Sequence, residues 1–322
     1  MSLLIAIAVT AAVVAGMVTA GPATATTGAG DHLPSVTSGH RPGPDALYLP
    51  PPRAPQLENT GPWQAEPLLI SGAHAYRDGE WLYQDFLFDD HGATGVLDPS
   101  DPYGVSTNLY SPAAGTFTYP TDEVYRHNAA DLVELRITRL DDATALRVTL
   151  NTLLDPALTA VTVALGDAGT HDWPHGAGAS SLAEVFLTTH GGTAELLDAA
   201  TGEVISPAPS VTVDLERRQL DLRIPDGAWN PGTAAVPVTV GVGLWDVDAG
   251  TYLAPQPGPA TEDTPGGGSL VGSALVNVGP RLDEPTPFIA GVTMADTAVG
   301  ARALAPWWRE RQQSLQLTAG DL

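Results

Sequence analysis

The chain has 322 residues, a formal net charge of −23, 43% hydrophobic residues, 34 glycines, 29 prolines and no cysteine. So negative a chain is repelled by phosphate backbones and anionic bilayers, which argues against nucleic-acid and membrane-surface partners. The missing cysteines exclude thiol nucleophiles, disulfides and cysteine zinc sites, and the missing lysines exclude a Schiff base or a phosphate-loop lysine.

In chain order, the first element is the apolar run Leu3 to Ala20, LLIAIAVTAAVVAGMVTA. It is about as long as a membrane span, but it is Ala/Val-rich, terminal and followed by small residues. We read residues 1–20 as a secretory signal peptide, with a mature N-terminus between Gly21 and Thr26 and a secreted, extracellular destination. No Lys or Arg precedes the run, and no other stretch is long and apolar enough to span a bilayer. Residues 21–62 are rich in Gly, Pro, Thr and Ser, including Pro50-Pro51-Pro52, a composition of linkers with polyproline character.

From Trp63 the pattern is strand and turn. Pro67–Tyr76 and Glu80–Phe88 flank Arg77-Asp78-Gly79, a hairpin signal. Alternation in LVELRITR (132–139) and ALRVTL (145–150) predicts half-buried strands about the Asp141-Asp142 turn. Further strands are predicted at 161–165, 183–189, 193–197, 211–215, 220–224, 236–245 and 270–278. Ten or so short strands without a long helical period predict an all-β, antiparallel β-sandwich over 63–282. Residues 283–322 form a C-terminal extension with a helix near 304–317 that carries Trp307 and Trp308.

Nucleophilic chemistry finds no support, because no Gly-x-Ser-x-Gly elbow occurs and no spacing ties a serine to a histidine. The one close histidine pair, in His171-Asp172-Trp173-Pro174-His175, lies in a Gly/Pro/Asp-rich segment that reads as a solvated loop, or as one whose Trp173 lies against a ligand. Carboxylates concentrate between Asp89 and Asp131. Such a cluster is compatible with a solvated acidic loop, with a Ca²⁺ site built from hard oxygen ligands, or with a glycosidase pair. Among the aromatics Trp81, Tyr83, Tyr110, Tyr119, Tyr125, Trp173, Trp229 and Trp245, we place Trp81 and Trp245 in the core. Tyr110 and Trp173 lie in longer loops and are the candidate carbohydrate-stacking residues.

The segment 83–150 resembles a known family. Phe88-Asp89-Asp90-His91-Gly92, Gly115-Thr116-Phe117-Thr118-Tyr119-Pro120-Thr121, Asp131-Leu132 and Leu146-Arg147-Val148-Thr149-Leu150 look like the landmarks of the DOMON-like domain at the C-terminus of glucodextranase and related secreted amylolytic proteins. That resemblance implies a non-catalytic β-sandwich that binds carbohydrate or the cell surface. It places Asp89, Asp90 and Asp131 in an acidic, potentially cation-binding corner. The insertion 93–114 departs from the family pattern.

The expected function is that of an exported, non-catalytic accessory module whose partner is a polysaccharide or cell-surface glycan, with Ca²⁺ as the one candidate cofactor. Two alternatives compete. In one, the chain is the N-terminal accessory part of a larger secreted α/β-hydrolase, an esterase or peptidase, which the resemblance would supply as a C-terminal hydrolase domain. In the other, it is a glycoside hydrolase acting through Asp89, Asp90 or Glu123.

Overall fold

The computed structural model describes residues 58–68, 70–92, 116–125, 129–267, 273–280 and 286–289. The predicted signal peptide, most of the linker, the insertion with Tyr110 and the C-terminal helix lie outside these residues. Among the described residues no helix is long and apolar enough to cross a membrane.

The fold is an antiparallel β-sandwich. Fifteen strands are described: β1 (Ala73–Arg77), β2 (Glu80–Gln84), β3 (Leu132–Arg139), β4 (Ala143–Leu150), β5 (Thr159–Leu165), β6 (Thr170–Asp172), β7 (Ser180–Leu182), β8 (Val185–His190), β9 (Thr193–Asp198), β10 (Ser210–Asp214), β11 (Gln219–Pro225), β12 (Ala235–Asp246), β13 (Thr251–Tyr252), β14 (Leu275–Gly279) and β15 (Thr286–Ile289). Sheet one runs β1-β2-β3-β4-β11-β10. Sheet two runs β13-β12-β5-β8-β9, with β14 and β15 also paired to β12, and β6 and β7 form a separate hairpin. The predicted hairpin is present, with Asp78 and Gly79 at φ +49° and +82°, the left-handed pair that a two-residue turn requires. Strand β15 pairs with β12, so the sandwich extends past residue 282, where the sequence pattern placed its end.

Alternation decides which side chains fill the core. Leu135 and Ile137 of β3, Leu146 and Val148 of β4, and Leu220, Leu222 and Ile224 of β11 meet Val161 and Val163 of β5, Val185 and Leu187 of β8, and Val238, Val240 and Val242 of β12. Trp81 is fully buried with them, and Trp245 is buried on the other side of sheet two, so both are interior as expected.

Both sheets are also covered on their outer faces. On sheet one, Glu80, Glu134, Arg136 and Arg147 are buried. The segment 58–68 lies against them: Glu80 Oε1 accepts from the backbone N–H of Ala65 at 2.8 Å and from that of Gln64, and Arg136 donates to Ala65 O at 2.8 Å. Trp63 Nε1 donates to Asp221 Oδ1 at 3.0 Å, while the Arg147 guanidinium lies 5.1 Å from the Trp63 ring centroid. On sheet two, Ala160, Ala164, Phe186, Trp245 and Leu275 are covered by Trp173, Ala177, Ala179 and Ala183 of the 166–184 segment. Gly241 of β12 makes that approach possible, because a Cβ there would sit 2.7 Å from Trp173 Cζ3.

Candidate functional site

Two places concentrate chemistry. The first forms where the chain leaves β2, enters β3 and passes through β14. Asp85, Asp89, Asp90 and Asp131 are all buried there, at 1%, 6%, 3% and 0% exposure, figures at which an unneutralised carboxylate is costly. The 85–92 loop is held by backbone bonds from Asp85 N to Val133 O (3.0 Å) and from Gly92 N to Val276 O (2.8 Å). Among the described residues, each hydrogen-bond donor to these acids is neutral. Tyr83 Oη donates to Asp85 Oδ1 at 2.9 Å, and Tyr119 Oη donates to Asp90 Oδ2. Asp131 Oδ2 accepts from Phe88 N and from Asn151 Nδ2, both at 3.0 Å. Asn277 Nδ2 donates to Asp89 Oδ1 at 2.6 Å and stands 3.5 Å from Asp131 Oδ1.

Burial pushes the Asp85 carboxyl up to about 7, against the opposing pull of the Tyr83, Phe86 and Asn277 donors. Burial, with the charges of Asp85, Asp131 and Asp90 added, pushes Asp89 up to about 10. Asp90 and Asp131 are raised as well, burial being the main cause in each. Among the described side chains, the one basic group opposing this rise is His91, beside Asp90.

The sequence named Asp89, Asp90 and Asp131, and they do lie together. Asp85 and Asn277 it missed. Asp85 directly follows β2, and Asn277 sits inside an apolar strand, LVNVG; a polar residue at a core-strand position was the available signal. Among the described residues no group of three or more His, Asp or Glu side chains is arranged as it stands to hold a metal ion.

The second place is an open cleft of about 670 Å³ lined by Asp122, Val124, Tyr125, Leu158, Thr261, Glu262 and Asp263. Two loops make it. Thr121 N donates to Thr261 O at 2.8 Å and Asp122 N to Glu262 O at 3.1 Å, while Thr118 and Gly266 exchange bonds at 3.0 and 2.9 Å. Gly267, at φ +95°, lets the strands of this junction close, since a Cβ there would fall 1.6 Å from Thr116 O. Tyr125 ends a single 3₁₀ turn, Glu123–Tyr125, and is half-buried at the cleft. Its phenol is raised by burial first and then by the surrounding Asp122, Asp246, Asp263 and Asp155. Asp263 is held below the ordinary carboxylate range, chiefly by the Thr261 hydroxyl and also by Thr264. Val124 is 45% exposed beside it.

Of the two residues expected to stack on sugars, Tyr110 lies outside the described residues. Trp173 does not serve as a surface platform. It is 4% exposed, its indole N–H donates to Ser181 Oγ at 2.8 Å, and its ring lies against Phe186 and over Gly241. The histidines flanking it separate: His171 Nε2 lies 3.3 Å from Ala168 O, whereas His175 meets the Glu195 carboxylate and the edge of Trp245. His190 stacks on the same indole at 4.3 Å. This region is thus a packed outer face rather than the solvated loop its composition suggested.

No family model matches the chain, and no curated protein matches it. Among solved structures it is similar to a carbohydrate binding module family 9 (CBM9) from Caldicellulosiruptor kristjanssonii in complex with cellotriose, at 11% sequence identity and a TM-score of 0.21. The similarity covers 42% of this chain and 66% of that one, so the chain spans just under two thirds of the module's length.

Proposed function

We propose that this β-sandwich is a non-catalytic carbohydrate-binding accessory module of an exported protein, and that the cleft at Tyr125 receives the sugar. The observation that supports this reading is the composition of the cleft: one half-buried aromatic ring beside three carboxylates and a threonine hydroxyl, open to solvent. A sugar offers an apolar C–H face and a rim of hydroxyl donors. A tyrosine ring takes the first, and ionised carboxylates accept from the second. Asp263, kept ionised by two threonine hydroxyls, suits an acceptor of sugar hydroxyls and not the proton donor that glycoside hydrolysis needs.

Affinity electrophoresis of the purified protein in gels containing soluble α- or β-glucan tests the reading. Retarded mobility, lost in Tyr125→Ala and kept in Trp173→Phe, is the expected outcome. Equal mobility in loaded and empty gels across the glucans would remove the carbohydrate assignment. Release of reducing sugar that Asp122→Asn abolishes would replace it with the hydrolase reading.

A further inference from the structure

We propose that the buried acidic cluster is a calcium site, with Asp85, Asp89, Asp131 and Asn277 as its protein ligands. The inference is independent of what the Tyr125 cleft binds.

Four carboxylates share one buried volume, and the described side chains bring neither arginine nor lysine to them, His91 beside Asp90 being the only basic group. The outer face of sheet one, by contrast, neutralises its buried Glu80 and Glu134 with Arg136. A cluster left with neutral donors alone must either hold protons or hold a cation.

Geometry favours the cation. Neutral donors grip the carboxylates from outside: Tyr83 on Asp85 Oδ1, Tyr119 on Asp90 Oδ2, Asn151 and the Phe88 N–H on Asp131 Oδ2. Outer donors of this kind orient ligating oxygens in metal sites. Asp85 Oδ2 makes no hydrogen bond in the structure, and Asp89 Oδ1 and Asp131 Oδ1 both turn to Asn277. Asn277 is fully buried, its amide NH₂ placed among Asp85, Asp89 and Asp131 while its own Oδ1 has no partner. The NH₂ group thus lies where the three carboxylates converge. Rotating the amide by half a turn exchanges two groups of nearly equal size and points Oδ1 inward. Oxygen would then meet oxygen, an arrangement that a positive ion between them makes favourable.

The donor set identifies the ion. All are hard oxygens, supplied by a loop, a strand entry and a strand interior far apart in sequence. Ca²⁺ accepts six to eight oxygens at 2.3–2.6 Å in irregular geometry, whereas Mg²⁺ demands a near-ideal octahedron and Zn²⁺ prefers nitrogen or sulfur.

The test uses Tb³⁺, a calcium mimic whose emission is excited through nearby aromatic rings, on the chelator-treated full chain. Tyr83 is bonded to Asp85 and lies 6.5 Å from the Trp81 ring, so it serves as antenna. Expected are saturable luminescence that Ca²⁺ displaces, and a rise in melting temperature of roughly 5–10 °C at a hundredfold excess of Ca²⁺ over Kd. Asp89→Asn removes one buried charge, so without metal it should melt no lower than wild type while losing the displaceable luminescence and the calcium-dependent rise. Should Asp89→Asn fail to fold, Asn277→Asp supplies a second case: it keeps an inward oxygen, and its calcium-dependent rise should equal or exceed that of wild type. Identical wild-type melting in chelator and in Ca²⁺, or luminescence that survives unchanged in Asp89→Asn, would overturn the site; the latter would mean adventitious binding elsewhere on the acidic surface.

Discussion

The two outer faces of the sandwich are closed by opposite means. Sheet one is sealed by charge: Arg136 bonds Glu134 at 2.5 Å and Glu80 at 3.3 Å, Arg147 bonds Asp221, and the 58–68 segment docks by hydrogen bonds onto that network. Sheet two is sealed by shape, with Trp173 and small alanines seated against a strand whose outward positions include Gly241 and Gly243. The difference teaches that strand alternation reveals which residues share a face but not whether that face meets water. A charged outward residue and a glycine outward residue each prove to be the footprint of a covering segment.

Breaking the charged seal should have the largest effect. Arg136→Met strands Glu80 and Glu134 in a buried site, at a cost of about 3–5 kcal/mol by urea denaturation. Adding Glu134→Leu should recover part of that loss, because it removes one of the stranded charges. An Arg136→Met loss under about 1 kcal/mol would mean that the network contributes little beyond burial of its carbon atoms.

The apolar seal breaks by overfilling. Gly241→Ala brings a Cβ to 2.7 Å from Trp173 Cζ3 and 2.9 Å from Leu275 Cδ1, so the indole must move. The expected cost is about 1–3 kcal/mol, accompanied by a red shift in tryptophan emission as the ring loosens. Trp173→Leu in the same background should relieve the clash, and a double variant no more stable than Gly241→Ala would show that Trp173 is not the obstacle.

The smallest effect is a pH dependence carried by sheet two. Burial lowers the His190 imidazole, and the His175 hydrogen bond lowers the Glu195 carboxylate. A folded-state value below the unfolded one means the fold prefers neutral His190 and ionised Glu195. Stability from both is therefore present above their unfolded values, near 6.5 and 4.5, and is lost as pH falls. Between pH 7.5 and 5.5 wild type should lose slightly more melting temperature than His190→Gln. The comparison is made between variants in the presence of chelator, since without a bound cation the raised carboxyls of the acidic cluster move the curve in the opposite direction.

Much of the sandwich was legible because it rests on local signals. LVELRITR folds as β3 over the residues its alternation marks, and Asp78-Gly79 turns where expected. The β6–β7 hairpin was not legible, since its strands have three residues each and carry no period. The acidic cluster was legible in part: Asp89, Asp90 and Asp131 flank a glycine turn and a strand start, but Asn277 reaches Asp89 across 188 positions of sequence, a separation that no local pattern encodes. Trp173 was misplaced because Gly and Pro neighbours mark irregular backbone, and irregular backbone can still be interior when it packs on a sheet. The signal pointing to its position was in β12, where glycines interrupt an otherwise continuous apolar strand.

Strand β12 also sets an order of assembly. Its twelve residues pair with β5 along one edge and with β15, β14 and β13 in succession along the other. Sheet two therefore cannot lose its open edge until the chain is complete through Ile289. Pairings this distant place the protein among slow-folding topologies, in the millisecond-to-second class. Throughout that interval a long strand of the sequence VPVTVGVGL presents unpaired backbone groups, the feature that draws chains into edge-to-edge aggregates. A chain ending before β14 would hold that edge open permanently.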